Sequence, residues 1–306
     1  MSRRKKKRIN SKPNRRYSRN RKQIQRNVKD RLFRYLFEKD REALLDLYNA
    51  LNETEYRDSS QLEIVTIESA VYVVMKNDLA YILSGTLSMY EHQSTYSPNL
   101  PVRFLIYLAQ EYQMVIEKAE KSLYGSGQIS LPTPQCIVFY NGVKEMPEER
   151  TLKLSDAFEN KKVRADVELT VRMLNINYGY NRQLMEKCRI LEEYSKLVAV
   201  IRGCMAVEKD IQTALNRAVD SCIEKGILKE FLLKYRAEVL GMLLEEFDAE
   251  KYERTIRSEG REEGKVEVNR LGILLTEAGR SDEFLKSLSD RELQKKLFVE
   301  FGLEKA

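Results

Sequence analysis

Residues 79–93 have the sequence LAYILSGTLSMYEHQ, and this stretch decides the fold. Ser84-Gly85 separates two runs of apolar and aromatic residues, which predicts a β-hairpin with a tight turn. Successive side chains of a strand point to opposite faces, so Leu87, Met89 and Glu91 share one face of the returning strand. Glu91 therefore occupies a position where a core-facing apolar residue is expected.

Amphipathic helices are predicted on both sides of this hairpin. Between Asp30 and Asn52, apolar residues recur at spacings of three and four, which predicts a helix with one buried stripe. The stripe contains Leu32, Phe33, Leu36, Phe37, Leu44, Leu45, Leu47 and Leu51. Residues 102–121 are also helical by period. The predicted buried side of this second helix contains Leu105, Leu108, Ala109, Tyr112, Val115 and Ile116.

Further strands are predicted on both sides of the hairpin as well. Residues 62–67 and 71–75 are rich in β-branched and aromatic residues, which is typical of strands. The apolar run 136–140 is isolated by Pro132 and Pro134 and ends at Asn141-Gly142, which predicts a buried strand followed by a turn. Helix, strands, hairpin, helix and strand in this order predict an α/β fold with a mixed sheet flanked by helices.

Beyond residue 160 the strand signals fade and the apolar spacing is helical. Helical segments are predicted near 180–202, 207–225, 227–247 and 251–276. Within residues 257–267, Gly260 and Gly264 stand four apart among charged residues, which favours a solvated helix or a hinge. Residues 270–306 have enough apolar positions for a small helical unit.

Charge divides the chain into two opposed parts. Residues 1–26 contain 13 of the 53 Lys and Arg and no acid, so the other 280 residues hold 40 bases against all 47 acids. The basic segment cannot bury a core against its own repulsion, which predicts a disordered arm. The arm could bind nucleic acid by neutralising phosphates, or it could be a solubilising tail. Its candidate nucleic-acid contacts are Arg3, Arg4, Lys5, Lys6, Lys7, Arg8, Arg15 and Arg16.

Several classes of protein are excluded by composition. No apolar run approaches the roughly 20 residues that a membrane-spanning helix needs, and the amino terminus lacks a signal-peptide pattern. The four cysteines are scattered without a C-x-x-C pair, which argues against a zinc site and favours a reducing, cytoplasmic location. With a single histidine, His92, the chain cannot form a multi-histidine metal site or a Ser-His-Asp triad that uses any other histidine.

Catalysis would therefore depend on carboxylates. Asp78 directly precedes the first hairpin strand and Glu91 lies near the end of the second, so strand pairing could bring the two together. Gln93 shares the face of Glu91 because a strand has a period of two. The two carboxylates and the backbone carbonyl of His92 would form an oxygen site of the kind that Mg²⁺ or Mn²⁺ prefers. Solvated surface carboxylates are the alternative.

The order of several motifs resembles a known family. Asn77-Asp78 is followed by the blocks YEHQST and PNLPVRF at residues 90–95 and 98–104, and these blocks are specific. The other matches are residues 131–134 (LPTP), 138–142 (VFYNG), 152–158 (LKLSDAF), 222–228 (CIEKGIL) and the Glu-Gly-rich segment around Gly260 and Gly264. Over residues 28–267 the chain resembles the recombination-promoting nuclease and transposase family, a branch of the PD-(D/E)XK nuclease superfamily.

The resemblance implies a restriction-endonuclease-like fold with an αβββαβ core and a mainly helical carboxyl-terminal half. It also implies roles for three residues: Asp78 takes the place of the motif aspartate, Glu91 that of the (D/E) position, and Gln93 that of the lysine. Glutamine at this last position is typical of the family. Because an amide can orient water or phosphate but cannot lower the pKa of water as a lysine does, it would leave more of the reaction to the metal.

Three further residues have candidate roles. In the superfamily an acidic residue of the first helix sometimes completes the site, and Glu38 is the candidate. The His92 side chain points away from Glu91 and is expected to be structural. Arg103, near a predicted helix start, could contact phosphate or pair with a carboxylate.

The sequence thus predicts a DNA endonuclease that uses Mg²⁺ or Mn²⁺ to hydrolyse phosphodiester bonds, linked to recombination or transposition. The alternatives are an inactive DNA-binding protein of the same fold and a helical oligomerisation or interaction module. The predicted parts are a basic arm (1–27), a nuclease-like core (28–165), a helical extension (166–256), and a charged helix or hinge with a small helical segment (257–306). Cutting both strands would require a homodimer, but the sequence does not fix the stoichiometry.

Overall fold

The computed structural model of the protein describes residues 31–65, 79–120 and 122–303, with side chains for all of these except 248–263. The basic arm, with Arg3, Arg4, Lys5, Lys6, Lys7, Arg8, Arg15 and Arg16, lies outside the described residues. Asp78 and the predicted strand at residues 71–75 lie outside them as well. The predictions that concern these residues therefore stay predictions.

The hairpin is confirmed. Strands β2 (Leu79–Leu83) and β3 (Thr86–Gln93) pair antiparallel, with Leu83 opposite Thr86 and Leu79 opposite Tyr90. Ser84 and Gly85 join them with φ angles of 48° and 77°, which is the left-handed geometry of the tight hairpin turns that match strand twist. This turn fixes which β3 residues face which side of the sheet.

Within the described residues, six strands form one mixed sheet of order β1-β2-β3-β4-β6-β5. The remaining strands are β1 (Glu63–Ile64), β4 (Thr133–Tyr140), β5 (Glu149–Lys153) and β6 (Thr170–Asn175). Strands β3, β4 and β6 run parallel, so their carboxyl ends lie at one edge of the sheet. β1 and β5 pair antiparallel with their neighbours. The predicted mixed α/β sheet is confirmed, whereas β6 corrects the expectation that strands end before residue 160.

The helix predicted over residues 30–52 is two helices, α1 (Arg31–Lys39) and α2 (Arg41–Asn52). Asp40 separates them with an extended backbone, and its carboxylate accepts the Ala43 N–H at 3.0 Å. An aspartate in this position caps the first turn of the following helix, which explains the break. The predicted apolar stripe of both helices is buried, apart from the half-buried Leu51.

Helix α3 (Leu100–Lys118) connects β3 to β4, and Pro101 stands in its first turn, where a missing N–H costs nothing. The predicted buried side of this helix is wrong at Leu105 and Ala109, which are exposed. The residues that α3 buries are Leu100, Pro101, Phe104, Tyr107 and Glu111. Because α3 has apolar residues nearly all round, its sequence does not define which side meets the sheet.

Two hydrophobic cores cover the two faces of the sheet. The first core contains buried residues of α1 and α2 with Tyr90, Phe139 and Tyr194. The second core contains Leu87, Met89 and Val138 of the sheet together with buried residues of α3. The side chains of β3 thus alternate between the two cores as the sequence predicts.

The carboxyl-terminal half is mainly helical, as expected. Its helices are α4 (Arg182–Lys187), α5 (Arg189–Val207), α6 (Ile211–Glu224), α7 (Lys229–Lys234), α8 (Arg236–Glu277), α9 (Ser281–Ser287) and α10 (Arg291–Glu300). The described residues up to Phe247 form one compact unit, and those from Asp248 form a second. The predicted boundary at residue 165 therefore falls inside the first unit, because β6 completes the sheet and α5 contributes Leu191, Leu197 and Ile201 to the first core.

The second unit has a small core of its own. Leu271, Leu275 and Leu297 are buried, and Phe284, Leu293, Phe298, Phe301 and Leu303 pack against them. This agrees with the small helical unit expected near residues 270–306. In the described ranges, no helix combines the length and the apolar character that crossing a bilayer requires.

Candidate active site

Glu91 is a carboxylate buried at a core-facing position of β3. Its side chain is only 1% exposed, on the face that carries Leu87 and Met89 into the second core. Desolvating a carboxylate is costly unless positive or hydrogen-bonding groups compensate for the lost water. The surroundings of Glu91 therefore determine whether its burial serves stability or chemistry.

Two side chains converge on one oxygen of this carboxylate. Gln93, two residues further along β3, donates its amide N–H to Glu91 Oε1. The Nη2 atom of Arg103 lies 2.5 Å from the same oxygen. A charge-assisted contact of this kind is stronger than a neutral hydrogen bond, so the Arg103 guanidinium acts as a counter-charge to the buried carboxylate. In the structure Arg103 thus pairs with a carboxylate, and its contact with phosphate stays a prediction.

Helix α3 places Arg103 in this position and brings two more polar residues to the same side. Tyr107 and Glu111 follow at successive spacings of four, so they lie below Arg103 on one face of the helix, and both are buried. Arg103 Nε donates to the Tyr107 hydroxyl at 3.2 Å. Sequence reasoning missed Tyr107 and Glu111. The signal that could have found them is the four-residue spacing from Arg103 within a largely apolar helix.

The side chain of His92 lies on the opposite face of the sheet, in the first core. Its ring stacks on Phe33 with centroids 5.1 Å apart, and Nε2 lies 3.1 Å from the Tyr194 hydroxyl. Aromatic contacts and a hydroxyl partner within a hydrophobic core are typical of a structural histidine. The geometry agrees with the structural role expected for the His92 side chain.

The backbone carbonyl of His92 is the part of this residue that was predicted to bind metal. The Asn141 N–H donates to the Gln93 carbonyl at 3.1 Å, so the Gln93 carbonyl faces β4. Successive carbonyls along a strand alternate in direction, which turns the His92 carbonyl toward the side of β2. β2 begins there with Leu79, paired with Tyr90.

The other predicted site residues are placed differently. The Glu38 carboxylate accepts from Arg34 Nε at 2.6 Å, and α1 packs into the first core, on the face opposite Glu91. Asp78 is outside the described residues. The structure therefore brings Glu91, Gln93 and Arg103 together and gives Glu38 a different partner.

The chain after β4 supports the end of β3 that carries Gln93. A side chain at Gly142 would collide with the Ser94 carbonyl and the Tyr140 ring, so only glycine allows the two backbones to approach this closely. The Tyr140 hydroxyl donates to the Lys144 carbonyl at 2.8 Å. Tyr140 and Asn141 thus have the strand-end and turn roles expected of them, and they hold the site's edge in place.

Two described oxygen atoms near this end of β3 are of the kind that a hard divalent cation binds. The Glu91 carboxylate and the His92 carbonyl are oxygen donors, which Mg²⁺ and Mn²⁺ prefer. Among the described residues, which exclude Asp78, no three His, Cys, Asp or Glu side chains form a group that could hold a metal ion. Any such ion would need ligands beyond the described side chains.

Comparisons with known proteins add no assignment to this geometry. No family model matches the chain, no curated protein matches it, and no solved structure matches it.

Proposed function

We propose that the protein is a divalent-metal-dependent DNA endonuclease that hydrolyses phosphodiester bonds. The observation that carries the proposal is the buried Glu91 carboxylate, held by Gln93 and Arg103 where the parallel strand β3 ends. Buried ionisable groups with specific charged partners are concentrated at functional sites. In open α/β sheets, ligands bind at the carboxyl ends of parallel strands, which is where Gln93 lies.

The order of elements supports the assignment to a restriction-endonuclease-like fold. In the described part of the chain, which lacks residues 66–78 between β1 and β2, the elements have the order αβββαβ: helix α2, the antiparallel strands β1, β2 and β3, helix α3 and the parallel strand β4. This is the order that the resemblance to the recombination-promoting nuclease and transposase family implies. We extend the proposal to that family and to a role in recombination or transposition.

Asp78, Glu91 and the His92 carbonyl are the proposed ligands of Mg²⁺ or Mn²⁺. Asp78 precedes Leu79 in the sequence, and Leu79 pairs with Tyr90, the neighbour of Glu91. The His92 carbonyl points toward the side of β2. Two described oxygen donors, this carbonyl and the Glu91 carboxylate, therefore support the proposed site. When bound, such an ion supplies an acidified water and stabilises the charge that develops on a phosphodiester.

Gln93 acts as an orienting residue in this proposal. Its amide holds Glu91 Oε1 through the N–H, while its carbonyl oxygen is an acceptor that can align a water molecule. An amide carries no charge and transfers no proton at neutral pH, so Gln93 contributes geometry rather than acid–base chemistry.

The proposed substrate is DNA because the basic arm complements its phosphates. The arm's Arg and Lys residues would raise affinity without reading sequence, since phosphate contacts position a protein but do not specify a site. The affinity should then fall steeply with salt, with a slope of about −0.9 for each phosphate contacted on duplex DNA.

Plasmid nicking in Mg²⁺ or Mn²⁺ tests the catalytic assignment. We expect Asp78→Ala and Glu91→Ala to lower the cleavage rate by at least about a hundredfold, as loss of a group that stabilises transition-state charge does. Glu149→Ala is the matched control, because Glu149 is an exposed strand carboxylate that pairs with Arg172. Equal cleavage by the wild type and all three variants would remove Asp78 and Glu91 from the reaction.

A second candidate is a protein that binds DNA without cutting it. The ion pair between Arg103 and Glu91 favours this candidate, because it already neutralises the carboxylate that a metal would need. Such a protein would bind DNA with a steep salt dependence and would show no cleavage with either metal. Deleting residues 1–26 then locates the binding: unchanged DNA affinity would place it on the folded part of the chain.

A further inference from the structure

The contact between Arg103 and Glu91 has two features that a purely structural ion pair does not need. One partner is almost completely buried, whereas the Arg103 side chain is 31% exposed. Arg103 therefore extends from the solvent to a carboxylate that water does not reach. Its guanidinium contacts the same oxygen that Gln93 holds in place.

A metal ion and this guanidinium compete for the same carboxylate. Mg²⁺ binds carboxylate oxygens at about 2.0–2.1 Å, and Arg103 Nη2 lies 2.5 Å from Glu91 Oε1. A divalent cation on either oxygen of Glu91 would place like charges a few ångströms apart in a poorly solvated site, where repulsion is strong. Binding the metal therefore favours departure of the guanidinium.

Arg103 can leave without opening the fold. It stands in the first turn of α3, and rotation about its side-chain bonds carries the partly exposed guanidinium into water. Its stem is long and flexible, and its Nε atom donates to the Tyr107 hydroxyl on the same helix. Gln93 lies on β3 itself, so it stays beside Glu91 when Arg103 moves.

We infer that Arg103 is a removable counter-ion that occupies the Glu91 site until a divalent cation displaces it. This inference rests on the proposed function, because it assumes that Glu91 is a metal ligand. Arg103 is then a positioning residue: it keeps the carboxylate charged and aligned before the metal arrives, and it weakens metal binding by having to be displaced.

Mn²⁺ titration followed by electron paramagnetic resonance tests this inference in the full-length protein without DNA. Arg103→Met keeps the apolar stem and removes the charge, so we expect it to bind Mn²⁺ about tenfold more tightly than the wild type. Arg172→Met is the matched control, because Arg172 pairs with Glu149 on the exposed surface, and it should leave the affinity unchanged. Glu91→Gln should abolish the Mn²⁺ binding at this site, so the binding that this variant loses is the part that belongs to Glu91.

A second measurement uses the wild-type protein and does not depend on the folding of a variant. Phenylglyoxal modifies accessible arginines, and mass spectrometry reports the rate at each peptide. We expect Mn²⁺ to raise the modification rate of Arg103 severalfold and to leave that of Arg172 unchanged.

The outcomes separate the inference from the proposed function. Tighter binding by Arg103→Met, together with faster modification of Arg103 in Mn²⁺, supports the removable counter-ion. Equal or weaker binding by this variant, or unchanged modification, overturns it while leaving a Glu91-dependent metal site. Absence of Glu91-dependent Mn²⁺ binding in both the wild type and Arg103→Met overturns the metal site itself.

Discussion

Glu91 and His92 are consecutive residues of β3, and both are buried, yet they face opposite sides of the sheet. On the first-core side, His92 contacts the rings of Phe33 and Tyr194, and its Nε2 atom lies next to the neutral Tyr194 hydroxyl. On the second-core side, Glu91 is paired with the partly exposed guanidinium of Arg103. A buried polar residue is therefore not by itself a functional one. What distinguishes Glu91 is a charged partner that leads to the solvent.

The tyrosines of the first-core side reinforce this contrast. The Tyr81 hydroxyl donates to the Tyr90 hydroxyl across the hairpin, with 2.5 Å between the two oxygens. Burial is the largest cause that raises the pKa of both phenols above the ordinary value of 10, so both stay neutral at physiological pH. These two hydroxyls on the first-core side thus pair with each other without charge, which is typical of a structural core.

The largest effect is expected from Phe33→Ala, which removes a ring that contacts His92, Phe139 and Tyr194. We expect a loss of about 3–5 kcal/mol in the free energy of unfolding, measured by urea denaturation, because a fully buried aromatic is deleted. Tyr124→Ala is the control, since this side chain is almost fully exposed. If the first-core side is purely structural, the folded variant keeps its Glu91-dependent Mn²⁺ binding. Loss of that binding in a folded variant would show that the first-core side also supports the metal site.

A smaller effect is expected from Tyr194→Phe, which removes the hydroxyl that lies 3.1 Å from His92 Nε2. The free energy of unfolding should fall by about 1 kcal/mol, the net contribution of a typical hydrogen bond. We expect the plasmid-nicking rate to stay within about twofold of the wild type, because a structural contact stabilises the fold but not the transition state. A large fall in nicking without unfolding would mean that His92 and Tyr194 belong to the active site.

Cysteine alkylation should show the smallest difference between the two sides of the sheet. Burial raises the pKa of Cys136, in the second core, and of Cys188, in the first core, to about 12, and that of Cys222 to about 11. At pH 8 these thiols stay protonated, so iodoacetamide should modify them at least about tenfold more slowly than the half-buried Cys204, measured by mass spectrometry. In urea all four should react alike. Rapid modification of Cys136 alone would show that the second-core side is loosened well beyond Glu91.

The parts of the fold that the sequence predicts are those with a strong local pattern. The hairpin is defined by Ser84-Gly85 and by alternation, and β4 by Pro132 and Pro134 at its start and by Asn141-Gly142 after its end. β6 was not predicted, although Val171 and Met173 alternate with the exposed Arg172 in it. Six residues give a weak signal, and pairing with β4, distant in sequence, is what stabilises the strand.

The break at Asp40 and the orientation of α3 were missed for different reasons. Asp40 caps α2, but the helical spacing of apolar residues continues on both sides of it. The sequence pattern therefore indicates one long helix instead of two. In α3, Val102, Leu105 and Ile106 are each 36% exposed while Glu111 is buried, so the apolar residues do not mark the inner side. The helix turns Arg103, Tyr107 and Glu111 inward, and Arg103 there compensates the charge of Glu91.

The amino-acid sequence by itself determined that Glu91 and Gln93 share the core-facing side of β3, and that His92 faces the other side. The reason is local: the two-residue turn sets the hairpin register, and alternate residues of a strand face opposite sides of the sheet. Only the tertiary structure decided that Arg103 neutralises Glu91 and that Glu38 pairs elsewhere. Those contacts depend on how α1 and α3 rotate against the sheet, which long-range packing fixes and no local pattern encodes.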